Sequence, residues 1–392
     1  MSYIYNQKGV FLVLLDLSAA FDTVPHDLLF DRMETEIGLK GRALEWLKSY
    51  FSGRTSSVCI NGIQSKKCSL NYGLPQGSIL GPLCFAIYII PIGRIIRKHG
   101  ISFHIYADDI QLYIDFDPSS PQSIASALSR LAACIQDIQL WMTCNLLKLN
   151  SDKTEFFVAL SSYNKGRMPP VKLQVGKDVI EPSQSVRNLG VIFDTEMSMS
   201  GQVSALSRSV SFHLRNISQI RRYLDFETCH NVIRSLVLQR LDYGNILLVG
   251  STASDIQRLQ LLQNWAARLM FQVGRRDHVS PLLRKLHWLP MKQRINFKVL
   301  CFVYKWFIGV SPSYLSSCLA LYIPGHEGLR SATDTTRLQE HSTNSRCLLS
   351  AADKAFYFYG PCLWNQLPRS VRTATSLPGF KKALKTHLFS KI

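Results

Sequence analysis

No two cysteines of this 392-residue chain stand in a Cys-x-x-Cys spacing, and no cysteine–histidine cluster has the spacing of a zinc site. A zinc module is excluded on that ground. The ten cysteines, several of them inside apolar runs (Cys84, Cys301), are expected to be reduced and buried, as in an intracellular protein that is not secreted. Long apolar runs are also missing. The longest, over 83–96, is broken by Pro91 and Arg94 and is too short to span a bilayer, so no membrane association is expected. The N-terminus has no basic stretch leading into an apolar one, which argues against a secretory signal. Internal repeats and low-complexity tracts are absent as well.

Acidic residues are scarce in only one part of the chain. Residues 1–160 hold 14 Lys+Arg against 14 Asp+Glu, while residues 161–392 hold 31 against 13. The whole formal excess of +18 therefore sits in the second part. A polyanion, with nucleic acid as first candidate, suits such asymmetry; a merely solvated basic surface is the plainer alternative. With 46% hydrophobic and 18% charged residues, a folded core is expected rather than disorder.

Periodicity and turn chemistry divide the chain. A strand buried on both faces is expected over 10–15, and helices over 26–37, 41–51 and 82–96. Asn61-Gly62 predicts a hairpin between 56–60 and 67–70. A second hairpin is expected from 103–106 and 110–114, with acids at its turn. A long amphipathic helix over 123–147 follows a Pro/Ser-rich breaker. Strands are expected over 155–160, 172–175 and 186–193. Helices follow over 203–224, 226–241, 254–271, 281–286 and 291–308. The tail from 321 is expected to be irregular, closing with a basic helix over 378–390. Boundaries near 195 and 320 give three regions, 1–195, 196–320 and 321–392.

Tyr106-Ala107-Asp108-Asp109 lies between two short apolar runs, and Asp16 ends the run over 10–15. Buried strands avoid carboxylates because an unpartnered ion is costly to desolvate. Three acids at strand ends therefore suggest a cation, and an oxygen-only donor set suggests a hard one such as Mg²⁺. Neighbouring strand residues point to opposite faces, so Asp108 and Asp109 act together only if the chain turns there. Asp16 must then lie on an adjacent strand, in a parallel or mixed sheet with helices behind it. Such a cluster suits two ions roughly 3.5–4 Å apart in a phosphoryl transfer. A lone Asp-Asp would be an ordinary turn. The Gly73–Gly81 loop and Lys153, each taken alone, read as a plain turn and a surface lysine.

Together these stretches carry a resemblance. LLDLSAAFDTVPHDLL, GLPQGSILGPLCF, YADDIQLYI, LKLNSDKTEFFV and NLGVIFD resemble, in order and separation, the palm of reverse transcriptases of the LINE class of non-LTR retrotransposons. LQNWAARLMF, HVSPLLRKLHWLP, RINFKVLCFVYK, LWNQLP and FKKALKTHLF are similar to the C-terminal region of animal LINE elements. The resemblance implies an α+β fold: a polymerase palm with helices on one face of a mixed or antiparallel sheet, then a helical thumb and a basic, mostly helical C-terminal region. It implies an RNA-directed DNA polymerase that works on an RNA template, a DNA primer and deoxynucleoside triphosphates. Two Mg²⁺ ions, or Mn²⁺ as substitute, would be held by Asp16, Asp108 and Asp109. By position, Phe21 matches the residue that stacks under the sugar and excludes a 2′-hydroxyl. Leu17 lends its backbone beside the triphosphate. Gln76 and Gly77 match the loop at the incoming nucleotide and template, with Tyr106 beside them. Lys153 matches the candidate general acid, and Leu189-Gly190 the turn that grips the primer end. Only Met1 to Gly9 precede the first strand, so the family's fingers and upstream endonuclease are expected to be missing. The alternative is an inactive, truncated remnant that binds RNA through its basic half. A retrotransposon ribonucleoprotein in nucleus and cytoplasm is the implied setting.

Trp265, Trp288, Trp306 and Trp364 stand beside basic residues. At helical spacing they are read as core rather than as base-stacking platforms. His287 is read as a cap or packed side chain. Lys381, Lys382, Lys385 and His387 form a basic face on the last helix.

Overall fold

The structure, a computed structural model, describes residues 8–160, 164, 166, 168–316, 318–323, 334–340 and 356–391. It is an α+β chain that divides into two compact bodies, Gln7–Val186 and a second running from Arg187 to the C-terminus.

The first body is built on a five-stranded sheet. Its strands are β1 (Gly9–Leu15), β2 (Ser102–Tyr106), β3 (Asp109–Phe116), β4 (Glu155–Ala159) and β5 (Pro182–Ser183), in spatial order β5-β4-β1-β3-β2. Every pairing is antiparallel except β4 with β5, so the sheet is mixed. Four helices belong to this body: α1 (His26–Thr35), α2 (Gly41–Phe51), α3 (Gly81–Lys98) and α4 (Pro121–Cys144). The sequence expects β1 to be buried on both faces. Instead Phe11, Val13 and Leu15 are buried while Val10, Leu12 and Leu14 are only half-buried. Helices α3 and α4 pack against the strands from one side, and an antiparallel sheet tolerates one partly open face. Phe11 stacks on Phe116 with centroids 3.9 Å apart in the covered layer.

Local signals explain most element ends. Ser120 caps α4, its hydroxyl accepting from the Ser123 amide at 3.2 Å, and Pro121 occupies the first turn where a missing N–H costs nothing. The helix stops at Asn145, with Leu146 in the left-handed region at φ 54°. Asn61 and Gly62 both take positive φ, as a two-residue hairpin requires, between Cys59–Ile60 and Ile63–Gln64. Against the expectation of burial, Cys144 and Cys362 are exposed and Cys301 is half-buried, and Cys59 on this hairpin and Cys68 on the adjoining ribbon are exposed. A two-stranded ribbon has no second layer to cover the last two. No disulfide joins cysteines among the described residues.

Residues 186–193, expected as one strand, form a hairpin of Ser185–Asn188 and Val191–Asp194. Leu189 (φ 45°) and Gly190 (φ 80°) make the turn. The seam between bodies falls at this hairpin rather than near 195, because Val191 already belongs to the second core. The main helices of that body are α5 (Ser200–Ile220), α6 (Phe226–Ile233), α7 (Ala253–Phe271), α8 (Met291–Phe307), α9 (Phe356–Asn365) and α10 (Leu377–Phe389). Among the described residues no seam falls near 320. Tyr304 of α8 stacks on Phe380 of α10 at 4.2 Å, and Trp364 is fully buried in the same core. No helix among the described residues is long and apolar enough to cross a membrane.

Candidate active site

Strand register brings the distant acids to one end of the sheet. Leu15 pairs with Ile110 and Leu14 with Gln111, so Asp16, one step beyond, comes abreast of Asp109. Both continue the alternation on the half-open face. Tyr106 pairs with Asp109 across a two-residue turn of Ala107 and Asp108. Ala107 takes a φ of 52°, a left-handed conformation that a residue with a Cβ adopts reluctantly. The turn expected from the sequence is therefore present, and it sets Asp108 next to Asp109 rather than on the far face.

Asp16 is anchored by its backbone. Its carbonyl accepts from the Asn150 amide at 2.9 Å, and Leu17 and Ser18 pair with Leu149 and Lys148. That short ladder swings the turn Ser151–Lys153 over the site, where Lys153 Nζ lies 3.2 Å from Asp16 Oδ2. Oδ2 is nonetheless a buried atom that accepts no hydrogen bond among the described residues. The ammonium is near enough for charge attraction but not aligned to donate. Asp109 carries a complementary signature. Burial, then the Asp108 charge, then the Asp16 charge push its carboxyl above the usual range.

An oxygen-only donor set, a buried carboxylate oxygen without a donor and a carboxyl raised by like charges all fit a hard divalent cation. Among the described residues, however, no three acidic, histidine or cysteine side chains stand close enough to enclose one ion. Strand register sets Asp16 abreast of Asp109, while the three carboxyls expected to converge are not grouped closely enough to share one ion.

The glycine-rich loop docks beside this end of the first body. Gly73 N donates to Val24 O at 2.8 Å, Leu74 N to Phe21 O at 2.7 Å, and the His26 ring is 2.8 Å from Gly73 O. Gly73 has φ +88°, and a Cβ there would meet Asp22 O at 2.9 Å, so only glycine allows the approach. Gln76 then donates its amide to Asp22 Oδ1 at 2.9 Å, next to Phe21, which stacks on Phe85 at 4.7 Å. Phe21 and Gln76 are thus brought together. Gly77 has positive φ, Tyr106 is exposed, and the Leu17 side chain is buried, leaving only its backbone available.

Leu189 and Gly190 belong to the second body. There the Tyr243 hydroxyl donates to Leu189 O at 2.5 Å and the ring lies against Gly190. Sequence reading missed Asp22, Asn150 and Tyr243. Asp22 sits inside the Phe21-Asp22 pair of a recognised motif and was within reach; Asn150 and Tyr243 act through contacts no local pattern announces.

Residues 4–193 match the family described as Reverse transcriptase (RNA-dependent DNA polymerase). The RNA-directed DNA polymerase from mobile element jockey of Drosophila melanogaster is 23% identical over 267 residues, covering 66% of this chain and 28% of that protein. The probable RNA-directed DNA polymerase from transposon BS of the same species is 25% identical over 295 residues, covering 72% and 31%. The chain thus spans less than a third of the length of these relatives. A structure of telomerase from Candida albicans, in complex with a fragment of telomeric RNA, overlaps 74% of this chain and 48% of that one. It does so at a TM-score of 0.30 and 14% identity, too low to bear on the fold. The motifs and the two sequence comparisons agree: residues 4–193 match a reverse transcriptase domain, and the chain is similar to the RNA-directed DNA polymerases of LINE-type, non-LTR mobile elements.

Proposed function

We propose that this chain is the polymerase part of an RNA-directed DNA polymerase, extending a DNA primer with deoxynucleotides along an RNA template. The observation that carries the proposal is the cross-strand approach of Asp16 and Asp109 beside Asp108, with a buried Asp16 Oδ2 that lacks a hydrogen-bond donor. Asp16, Asp108 and Asp109 would hold the divalent metal on which the family depends, here two Mg²⁺ ions or Mn²⁺ in their place. A divalent ion held there would supply Lewis-acid activation of the primer hydroxyl and charge neutralisation at the departing pyrophosphate.

The remaining roles fall to the chain's own residues. Lys153 is the proposed proton donor to the pyrophosphate, supported by its 3.2 Å approach to Asp16. Phe21, braced on Phe85, is the wall under the sugar that rejects a 2′-hydroxyl. Gln76, held by Asp22, and Gly77 line the nucleotide and template side. The Leu17 backbone flanks the triphosphate, and Tyr106 flanks the nucleotide. The Leu189-Gly190 turn, fixed by Tyr243, grips the primer end. Helices of the second body are the proposed thumb, where basic side chains track an A-form hybrid through its phosphates. A ribonucleoprotein of nucleus and cytoplasm is the proposed setting.

Primer extension on poly(rA)/oligo(dT) with Mg²⁺ tests this. Asp108→Ala is expected to lower incorporation about a hundredfold or more. Undiminished extension by that variant sinks the proposal. A second reading, RNA binding without polymerisation, is favoured by one observation: residues 161–392 carry all of the +18 excess. Salt-sensitive RNA binding with no incorporation by the wild-type chain would select it.

A further inference from the structure

A cleft of about 630 Å³ opens in the second body between the continuation of α6, the end of the short helix Ser280–Lys285, and α8. Its charged lining is unbalanced. Arg234, Arg294, Lys298 and Lys385 share the cleft with one carboxylate, Asp242. Asp242 is taken up by Arg294, whose Nε donates to Oδ1 at 2.9 Å and whose Nη2 donates to Oδ2; Lys298 Nζ donates to the Asp242 carbonyl oxygen. Burial holds Lys298 below the usual range for a lysine, with Asp242 opposing. Arg234 is exposed, and its guanidinium makes no hydrogen bond or ion pair among the described residues. The Lys385 ammonium has no anionic partner either and lies 5.9 Å from the Phe389 ring. Among the described residues, the Arg234 guanidinium and the Lys385 ammonium therefore have no anionic partner.

The apolar lining is planar. His230 and Trp288 stack with centroids 6.2 Å apart and planes 22° from parallel. Two backbone irregularities frame them. A π-helical turn, Arg234–Leu238, interrupts the helix that starts at Phe226, and His287 sits at φ 53°. A π turn brings residue i+5 back over residue i, so Arg234 and Gln239 both reach the cleft, together with Leu238. π turns and left-handed residues other than glycine concentrate where a site must be shaped.

We infer that this cleft binds a single nucleoside phosphate unit, its phosphate between Arg234 and Lys385 and its base beside the half-buried His230 ring, which the buried Trp288 backs. A pocket of this size takes one nucleotide and excludes a paired one, so the source is either an unpaired position of single-stranded RNA or a free mononucleotide. The ligand follows from the cleft's own chemistry and is independent of the polymerase proposal.

The test uses the full chain and fluorescence anisotropy of a short, labelled single-stranded RNA, with 5′-AMP and adenosine as competitors. Arg234→Ala with Lys385→Ala is expected to weaken RNA binding about tenfold. Lys66→Ala with Lys67→Ala removes the same charge from an exposed hairpin of the first body, and is expected to change binding less than about twofold. Should the first pair lower the melting temperature, Arg234→Glu alone, on an exposed side chain, reads the same loss. 5′-AMP is expected to compete and adenosine to fail. AMP binding without RNA binding assigns the cleft to free nucleotides. Equal losses in the two double variants, competition by adenosine equal to that by AMP, or binding of neither probe overturns the inference. No arm needs incorporation, so a chain that binds here but does not polymerise refutes only the polymerase proposal.

Discussion

At Asp109 three unfavourable influences act on one carboxylate: burial, Asp108 and Asp16. Its folded-state pKa lies above the unfolded value, so the group destabilises the fold once ionised, and the penalty is fully present at neutral pH. Asp109→Asn removes the charge while keeping the shape. In metal-free buffer this variant is expected to melt roughly 1–3 °C higher than wild type, a small effect because the group is exposed to screening solvent. It is expected to lose primer extension at the same time. An unchanged or lower melting temperature would mean that the three acids do not repel one another. Asp16 is the counterpart: its Oδ2 is buried without a donor, and Lys153 provides charge without alignment. The types of these residues were legible in short motifs. Their mutual distances were not, because 92 residues of intervening chain carry no local record of where a strand will pair.

Elements hold the site through a few long-range fastenings. Arg32 of α1 is one. Its guanidinium donates to Tyr88 O on α3 and to Asn145 Oδ1 at the end of α4, and lies 4.0 Å from the Tyr88 ring and 4.9 Å from that of Trp141. Burial lowers its pKa, with Tyr88 opposing. Removing the side chain takes the donor from one buried and one half-buried acceptor and the cation from two rings. Arg32→Ala is expected to destabilise the first body by about 2–4 kcal/mol, seen as a lower urea midpoint with unchanged slope. Arg32→Lys should recover only part, since an ammonium cannot fork. The loop over 73–77 is the other fastening. Gly73→Ala puts a Cβ against Asp22 O in a conformation alanine resists, which displaces Gln76 from Asp22. Extension is expected to fall at least about tenfold with RNA affinity retained; equal losses of both would point to general unfolding instead. Helix spans and hairpins were readable from period, caps and Asn-Gly chemistry. The hairpin at 185–194 was not, because Leu189 at its turn has no turn propensity, and only the following glycine marks it.

Across the whole molecule, separation into two cores rests on where side chains pack rather than on linker composition. No proline- or glycine-rich stretch marks the seam at 186, and the tail that reads as irregular is fastened to α8 and its neighbours. One fastening is ionic. Arg372 Nη2 donates to Asp334 Oδ2 at 2.7 Å, and Thr336 Oγ1 donates to Asp334 Oδ1 at 2.6 Å. Burial opposes the Asp334 charge, but the Arg372 and Thr336 hydrogen bonds outweigh it and hold the carboxyl down at about 2. Its folded pKa is thus depressed below the unfolded value, so its stabilisation is present above roughly pH 4 and is lost as pH falls toward 2. Melting curves of wild type and Asp334→Asn are expected to differ most at pH 5 and above and to converge on acidification. A gap that persists to about pH 2 would assign the stabilisation to shape rather than charge.

The sequence alone determined what each segment could be. Alternation made strands, 3.6-residue spacing made helices, the acids, glycines and lysine of the motifs together carried the resemblance to reverse transcriptases, and the Lys+Arg surplus marked a basic second part. Those properties are local, since they depend on residues within one or two turns of each other. Tertiary structure alone decided the register that sets Asp16 abreast of Asp109, the swing of Lys153 onto Asp16, the docking of Gln76 on Asp22, and the surplus of cations around Trp288. Each of these is a contact between segments far apart in the chain. Loop closure and side-chain packing choose such contacts only once both partners are folded, and no run of neighbouring residues encodes that choice.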